Sequence, residues 1–284
     1  MLMIKIAEIF RSIQGEGLYQ GVPSIFVRTF GCNKTCSGFS MPRGEKSLER
    51  FNILPESLEK FEDAKLVKTG CDSYMSWDPR FKDFSPLMTI KEIVDKIQSL
   101  LRDGVFSQDC HLILTGGEPL LGWQKQYPEL FDEIYSRNMN LSDLTFETNG
   151  TQLISNELLL SLASNFRKYK LRTTFSVSSK LPCSGETWES SILPEVVMNY
   201  TMVPGSQTYL KFVVSTYEDV NDAKKAVKEF RDDGFEGSVY LMPVGGTNDV
   251  YELNDRRVAE LAIENGFRFS PRLQVPLFRN AWGK

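Results

Sequence analysis

Residues 23–36 read Pro23-Ser-Ile-Phe-Val-Arg-Thr-Phe-Gly-Cys-Asn-Lys-Thr-Cys36. The first eight are β-branched, aromatic and short, bounded by Gly21 and Gly31, which is the signature of a strand. Cys32 therefore stands just past the C-terminal end of a strand, where α/β barrels place their chemistry. Two cysteines three residues apart on such a loop can hold a metal or a cluster between them. They are one thiolate short of the usual iron–sulfur set and two short of a zinc site. Cys71-Asp72-Ser73 offers a third thiol far downstream.

The chain of 284 residues is long enough for one barrel-sized α/β domain. Hydrophobic residues make up 41% and charged residues 25%, an ordinary balance for a globular chain. A net charge of −4 argues against a dominant nucleic-acid surface, which would be basic. No apolar run reaches membrane-spanning length and the N-terminus lacks a signal-peptide pattern, so a cytoplasmic protein with neither membrane nor nucleic-acid partner is expected. In that setting thiols stay reduced, and the five cysteines read as ligands or core residues before disulfides. A single histidine, His111, removes most zinc and histidine-base schemes.

Before the cysteine strand, residues 3–10 alternate as a first strand. The loop Ser12-Ile-Gln-Gly-Glu-Gly17 follows, whose glycines let backbone approach a ligand or simply close a hairpin. Arg28, near the end of a buried strand, needs an anion, and its fork suits a carboxylate. Residues 37–70 look like an insertion, with a charged, helix-compatible patch from Glu45 to Lys68. Thr89 with Glu92 makes a capping box for a helix to Leu101.

From there strands and helices alternate. Strands are expected at 111–115, 144–147, 173–177, 208–215, 238–242 and 267–270. Helices are expected at 127–138, 155–166 and 218–233, with a last one capped by Asn254 and stopped near Gly266. Alternation at roughly 30-residue intervals argues for parallel βα units. About six fit, fewer than the eight of a complete barrel. The expected architecture is a single α/β domain over residues 1–284, a partial (βα)6-type barrel with residues 37–70 inserted in the cysteine loop. Polar or glycine motifs close nearly every strand, namely Thr115-Gly-Gly-Glu118, Glu147-Thr-Asn149, Ser178-Ser-Lys180 and Pro243, as one active face requires.

Together, Gln14-Gly-Glu-Gly17, Arg28 to Cys36, Thr115-Gly-Gly-Glu-Pro119, Glu147-Thr-Asn-Gly-Thr151 and Ser178-Ser-Lys180 resemble the radical S-adenosylmethionine enzymes. Within them the pattern is most similar to the 7-carboxy-7-deazaguanine synthase family, over about residues 8–272. Cys-x3-Cys alone is a weak signal. The Thr-Gly-Gly-Glu-Pro motif is moderately specific to the superfamily, and Gln14–Gly17 with Arg28 narrows the match. The superfamily spacing Cys-x3-Cys-x2-Cys is broken here, since Phe39 occupies the third slot. The family tolerates insertions in this loop and follows its last cysteine with an Asp-Thr pair or near equivalent. Cys71-Asp72-Ser73 fits that context, with Cys183 as the rival.

The resemblance implies a [4Fe–4S] cluster on Cys32, Cys36 and Cys71 that leaves one iron open for S-adenosylmethionine, whose cleavage gives a 5′-deoxyadenosyl radical. Asp72, Gly116, Gly117, Glu118, Glu147, Ser178, Ser179 and Lys180 would serve that cofactor, although the family has proline where Ser179 stands. The implied substrate is 6-carboxy-5,6,7,8-tetrahydropterin, met by Ile13, Gln14, Gly15, Glu16, Arg28 and Thr115. Mg²⁺ would sit at Ser73, whose hydroxyl can act as a hard oxygen ligand. The product would be 7-carboxy-7-deazaguanine, formed by ring contraction with loss of ammonia. A flavodoxin or ferredoxin-type electron donor and a homodimer complete the expectation. Three rivals remain. One is another radical enzyme, such as a glycyl-radical activase. The second is a zinc-stabilised binding protein using Cys32, Cys36, Cys71 and Cys183. The third is an α/β scaffold with incidental cysteines.

Overall fold

The computed structural model describes residues 2–284. Among these residues nine strands form one sheet in the order β3-β1-β2-β4-β5-β6-β7-β8-β9. They are β1 (Met3–Ile13), β2 (Pro23–Thr29), β3 (Leu87–Thr89), β4 (His111–Gly116), β5 (Asp143–Thr148), β6 (Arg172–Val177), β7 (Ser206–Val214), β8 (Val239–Pro243) and β9 (Arg268–Phe269). β1 runs antiparallel to both β2 and β3, and every pairing from β2 onward is parallel. The fold is thus α/β with a mostly parallel sheet. Its helices are α1 (Ile90–Leu100), α2 (Tyr127–Ser136), α3 (Asn156–Tyr169), α4 (Pro194–Thr201), α5 (Tyr217–Asp232), α6 (Asn248–Glu264) and α7 (Gln274–Phe278).

Strand alternation sorts the side chains onto two different faces. Ile25 and Val27 of β2, Leu112 and Leu114 of β4, Leu144 and Phe146 of β5, and Phe175 and Val177 of β6 pack with Ile93, Leu130, Leu158 and Val197 of the helices in one apolar core. Their neighbours in sequence, including Phe26, Arg28, Thr115, Glu147, Ser176 and Lys211, line a cavity on the opposite face. One face is therefore covered by helices and the other is left for chemistry.

The first and last strands also approach each other beyond their C-terminal ends. The Leu273 amide donates to the Gly15 carbonyl at 3.0 Å, and the Gly17 amide donates to Ser270 Oγ at 2.8 Å. Gly17 has φ +67, and a Cβ there would stand 2.3 Å from the Tyr209 hydroxyl, so only glycine fits the turn.

Helix starts follow the chain's own capping chemistry. Thr89 and Glu92 form the expected capping box for α1, and Thr216 with Asp219 forms another for α5. α6 departs from expectation: it begins at Asn248 behind Thr247. Asn254 lies inside it and donates to the Val250 carbonyl at 2.8 Å, so it satisfies an interior carbonyl and caps nothing. α4 and β3 carry no signal that the sequence reading used.

The helix-compatible patch from Glu45 to Lys68 forms no α-helix. The segment makes short 3-10 turns at Glu49–Asn52, Pro55–Ser57 and Phe61–Asp63. Pro55 interrupts any longer helix, and Glu49 is diverted: its carboxylate accepts from the amides of Lys68 and Thr69 and from the Thr69 hydroxyl. Ile53, Phe61, Ala64 and Val67 bury themselves with Tyr74, Met75 and Phe81 in a small core of their own. Two backbone bonds close the stem below, Ser47 N to Ser37 O at 2.7 Å and Gly70 N to Phe39 O at 2.8 Å. The excursion leaves residue 36 and returns residue 71 to the same place. No helix among the described residues is long and apolar enough to cross a membrane.

Candidate active site

The cavity on the uncovered face measures about 230 Å³. Cys32, Cys36 and Cys71 all stand on its wall, together with Ile13, Gln14, Gly15, Glu16, Arg28, Asp72, Ser73, Thr115, Gly116, Gly117, Glu147, Ser178 and Lys180. Glu118 and Ser179 are expected there too but are not among its lining residues. Glu118 is fully buried behind the wall. Its carboxylate accepts from the Asn149 amide at 2.6 Å, the Thr148 hydroxyl at 2.8 Å and the Leu120 amide at 3.0 Å, tying the end of β4 to the end of β5. Burial raises its pKa to about 7 against these three donors. Cys183 also lies outside the cavity, with its thiol directed at the Val213 carbonyl at 3.5 Å, and Cys110 is buried in the helix-side core. Cys110 and Cys183 thus lie apart from the cavity wall that Cys32, Cys36 and Cys71 share.

Each of the three thiols is held above its ordinary pKa, first by burial, with Cys32 pushed up to about 12. Cys71 adds to the rise at Cys32, and Cys71 and Cys32 both add to the rise at Cys36. Lys180 opposes the effect at all three. N–H donors already face two of the sulfurs. The Trp77 indole donates to Cys71 Sγ at 3.2 Å, and the Lys34 amide donates to Cys32 Sγ at 3.4 Å. Among the described residues no three Cys, His, Asp or Glu side chains are already gathered as a metal-binding group. The donor set nevertheless suits an iron–sulfur cluster: three thiols, N–H donors to sulfur, and no imidazole. The sole histidine is buried at the opening residue of β4, against Asp143.

Arg28 does find the carboxylate that its position requires, but within the chain. It is the cross-strand partner of Glu8, and its Nε donates to Glu8 Oε1 at 2.7 Å. Gln14 is fixed at both ends, donating to Glu147 Oε1 at 2.9 Å while accepting from the Glu16 amide at 3.0 Å. Lys180 Nζ donates to Ser178 Oγ at 3.1 Å, and the Ser73 hydroxyl lies 3.3 Å from Asp72 Oδ1.

Glu16 belongs to a buried ion network that the sequence reading missed. Lys211 Nζ stands 2.5 Å from its Oε2; Gln274 Nε2 at 2.8 Å and Arg272 Nε at 3.2 Å serve its Oε1. Arg272 continues the network to Asp72 through a second ion pair. Burial alone would raise the Glu16 carboxyl, but Lys211 and Arg272 outweigh it and hold the pKa at about 2. A carboxyl lowered in the folded state stabilises above its unfolded pKa and loses that contribution as pH falls through the folded one. A drop from 4.5 to about 2 corresponds to about 3 kcal/mol at most. Urea midpoints measured from pH 5 to pH 3 should therefore fall for the wild type and fall less steeply for Glu16→Gln. Parallel curves would place the acid sensitivity elsewhere.

Lys34, Glu8, Trp77, Lys211, Arg272 and Gln274 also line the cavity with no motif to announce them. Only Lys34 carried a signal, lying between two cysteines. No family model matches the chain. A 7-carboxy-7-deazaguanine synthase of Halobacterium salinarum is 30% identical over 98% of this chain and 91% of its own length. The chain belongs to the 7-carboxy-7-deazaguanine synthase family. A family member from Pyrobaculum aerophilum is 29% identical over 99% of the chain and 97% of its own length. The crystal structure of QueE from Escherichia coli superposes with a TM-score of 0.54 at 20% identity, covering 96% of this chain and 95% of that one. That likeness supports the α/β fold with its mostly parallel sheet. The synthase family is one of enzymes, and this chain is an enzyme of that family.

Proposed function

We propose that this enzyme converts 6-carboxy-5,6,7,8-tetrahydropterin to 7-carboxy-7-deazaguanine with loss of ammonia, in the making of queuosine or related deazapurines. One observation carries the reading: thiols from two distant segments share a cavity wall with Arg28, Thr115, the Gly116-Gly117 backbone and Lys180. Cys32, Cys36 and Cys71 would hold a [4Fe–4S] cluster. With S-adenosylmethionine bound, such a cluster would supply one-electron chemistry beside the pterin pocket. The sheet, helix-covered on one face and meeting itself beyond β1 and β9, is read as a partial (βα)6-type barrel around this cavity.

The chain's own groups bind, orient and shield. Arg28 uses Nε for Glu8, which leaves its outer edge for the substrate carboxylate. Ile13, Gln14 and Gly15 present backbone to the pterin edge, and the Glu147 bond keeps the Gln14 amide from turning. The Thr115 hydroxyl joins them. Glu16 neutralises Lys211 and Arg272, so its part is to shape the floor. Lys180, Ser178 and the Gly116-Gly117 backbone suit the carboxylate and amino ends of the cofactor, while Glu118 and Ser179 brace that wall from behind. Asp72 and Ser73 offer hard oxygens for Mg²⁺. The same reading includes a flavodoxin or ferredoxin-type donor, a homodimer and a cytoplasmic setting.

The test is anaerobic reconstitution with iron and sulfide, followed by S-adenosylmethionine, reductant and the carboxypterin. Formation of the deazaguanine acid is expected. Bound zinc without iron or sulfide would overturn the reading, and cofactor cleavage without pterin turnover would favour an activase. Arg28→Gln should keep its iron and raise KM for the carboxypterin by about 10- to 100-fold, the worth of a charged hydrogen bond. An unchanged KM would remove Arg28 from the substrate site.

A further inference from the structure

The loop between the first two cysteines is gripped by a segment that no motif marked. The Glu186 carboxylate accepts from the Thr35 amide at 2.8 Å, the Cys36 amide at 2.9 Å and the Thr35 hydroxyl at 3.1 Å, all on one oxygen. Lys34, whose side chain is only 3% exposed, points into the same segment. Its Nζ donates to the Ser190 carbonyl and hydroxyl at 2.7 Å each and to the Ser191 hydroxyl at 2.9 Å. The two charges lie 3.8 Å apart. Beyond Cys36 the Gly38 amide donates to the Ser184 carbonyl at 2.8 Å. A Cβ at Gly38 would stand 2.5 Å from the Gly185 nitrogen, so the two backbones touch. Cys36 meanwhile has φ +46, a left-handed conformation that costs a non-glycine residue roughly 1 kcal/mol and needs holding.

We propose that Glu186 is the positioning residue of the cysteine loop and that its charge, opposed by Lys34, sets how readily the cluster takes an electron. The proposal rests on the cluster assignment above. A carboxylate bonded to the backbone of one ligand and partly withdrawn from water adds a fixed negative charge beside the cluster. Cluster potentials follow local charge and hydrogen bonding, so that charge makes reduction harder. The buried ammonium of Lys34 acts in the opposite sense. Two groups in one latch therefore tune in opposite directions, which a purely structural role would not do.

The experiment compares wild type, Glu186→Gln, Glu186→Ala and Lys34→Met. Redox titration of the reconstituted cluster by electron paramagnetic resonance should show Glu186→Gln more positive by about 59 mV or more, tenfold in the one-electron equilibrium. Lys34→Met should move the midpoint negative. Glu186→Ala, which removes every acceptor, should retain less iron, and amide exchange at Thr35 and Cys36 in its apoprotein should quicken at least tenfold. Midpoints that do not move, or that move in the same direction in Glu186→Gln and Lys34→Met, overturn the tuning. Unchanged exchange in Glu186→Ala overturns the latch. A wild-type chain that takes up no iron overturns the functional reading and the tuning with it, while the exchange measurement still decides the latch.

Discussion

Cys71→Ser should leave a folded protein that reconstitutes with little iron and loses activity by at least about 100-fold, about 2.7 kcal/mol in barrier terms. On the proposed cluster assignment the loss follows from ligand count. Two thiolates cannot hold a cubane that normally rests on three or four, and a serine hydroxyl at the third position is a poor match for iron in this chemistry. The sulfur is not there for packing: it lines the cavity and accepts the Trp77 indole N–H at 3.2 Å. Cys183→Ser provides the control. That thiol lies away from the cavity, against the Val213 carbonyl, so iron content and turnover should match the wild type. Iron and sulfide analysis beside circular dichroism checks both variants. A Cys71→Ser protein with full iron content, or a Cys183→Ser protein without it, would reassign the third ligand.

Lys211→Met should be the most destabilising single change near the site. Lys211 is 4% exposed, and Glu16 takes its closest ion pair from it at 2.5 Å. Removing Lys211 leaves Glu16 with Arg272 and Gln274 alone, so the cost stays below the about 3–5 kcal/mol of a fully stranded charge. In a chain of this size about 2 °C per kcal/mol follows, so Tm should fall by up to about 6 °C. The double variant Glu16→Leu/Lys211→Met should recover part of that loss, because two apolar side chains leave no stranded charge. Thermal unfolding of the four proteins closes the cycle. Additive losses would show that the two residues do not act as a pair.

The parallel strands are legible because each is a short β-branched run that stops at glycine, proline or a polar residue, and the periodicity of burial does the rest. The cavity wall is legible for the same reason: its residues stand at strand ends. Lys211 is different. It lies in the middle of a strand with apolar neighbours, and only the approach of the Glu16 loop across the sheet reveals why a charge is tolerated there. Arg28 was read correctly as needing an anion, but Glu8 is its neighbour only through the β1–β2 register. Glu186 is further out of reach, since its partners lie about 150 positions earlier and are backbone amides, which leave no trace in residue identity. Glu45–Lys68 misleads in the other direction: its charged, Leu-containing composition suits a helix, and Pro55 and Glu49 spend it on turns.

The stem beneath residues 37–70 has one more implication. Ser37 joins Ser47, Phe39 joins Gly70, and Glu49 clips Lys68 and Thr69, so the two sides of the excursion are already fastened before it wanders. The entropy of such a closed excursion rises only with the logarithm of its length, about 0.6 kcal/mol per doubling. Exposed turns beyond the fastening can be trimmed or enlarged at small cost so long as Ile53, Phe61, Ala64 and Val67 keep their packing on Tyr74, Met75 and Phe81. On the proposed cluster assignment, a fixed count of residues between Cys36 and Cys71 is then the wrong ruler; the rungs of the stem are the right one.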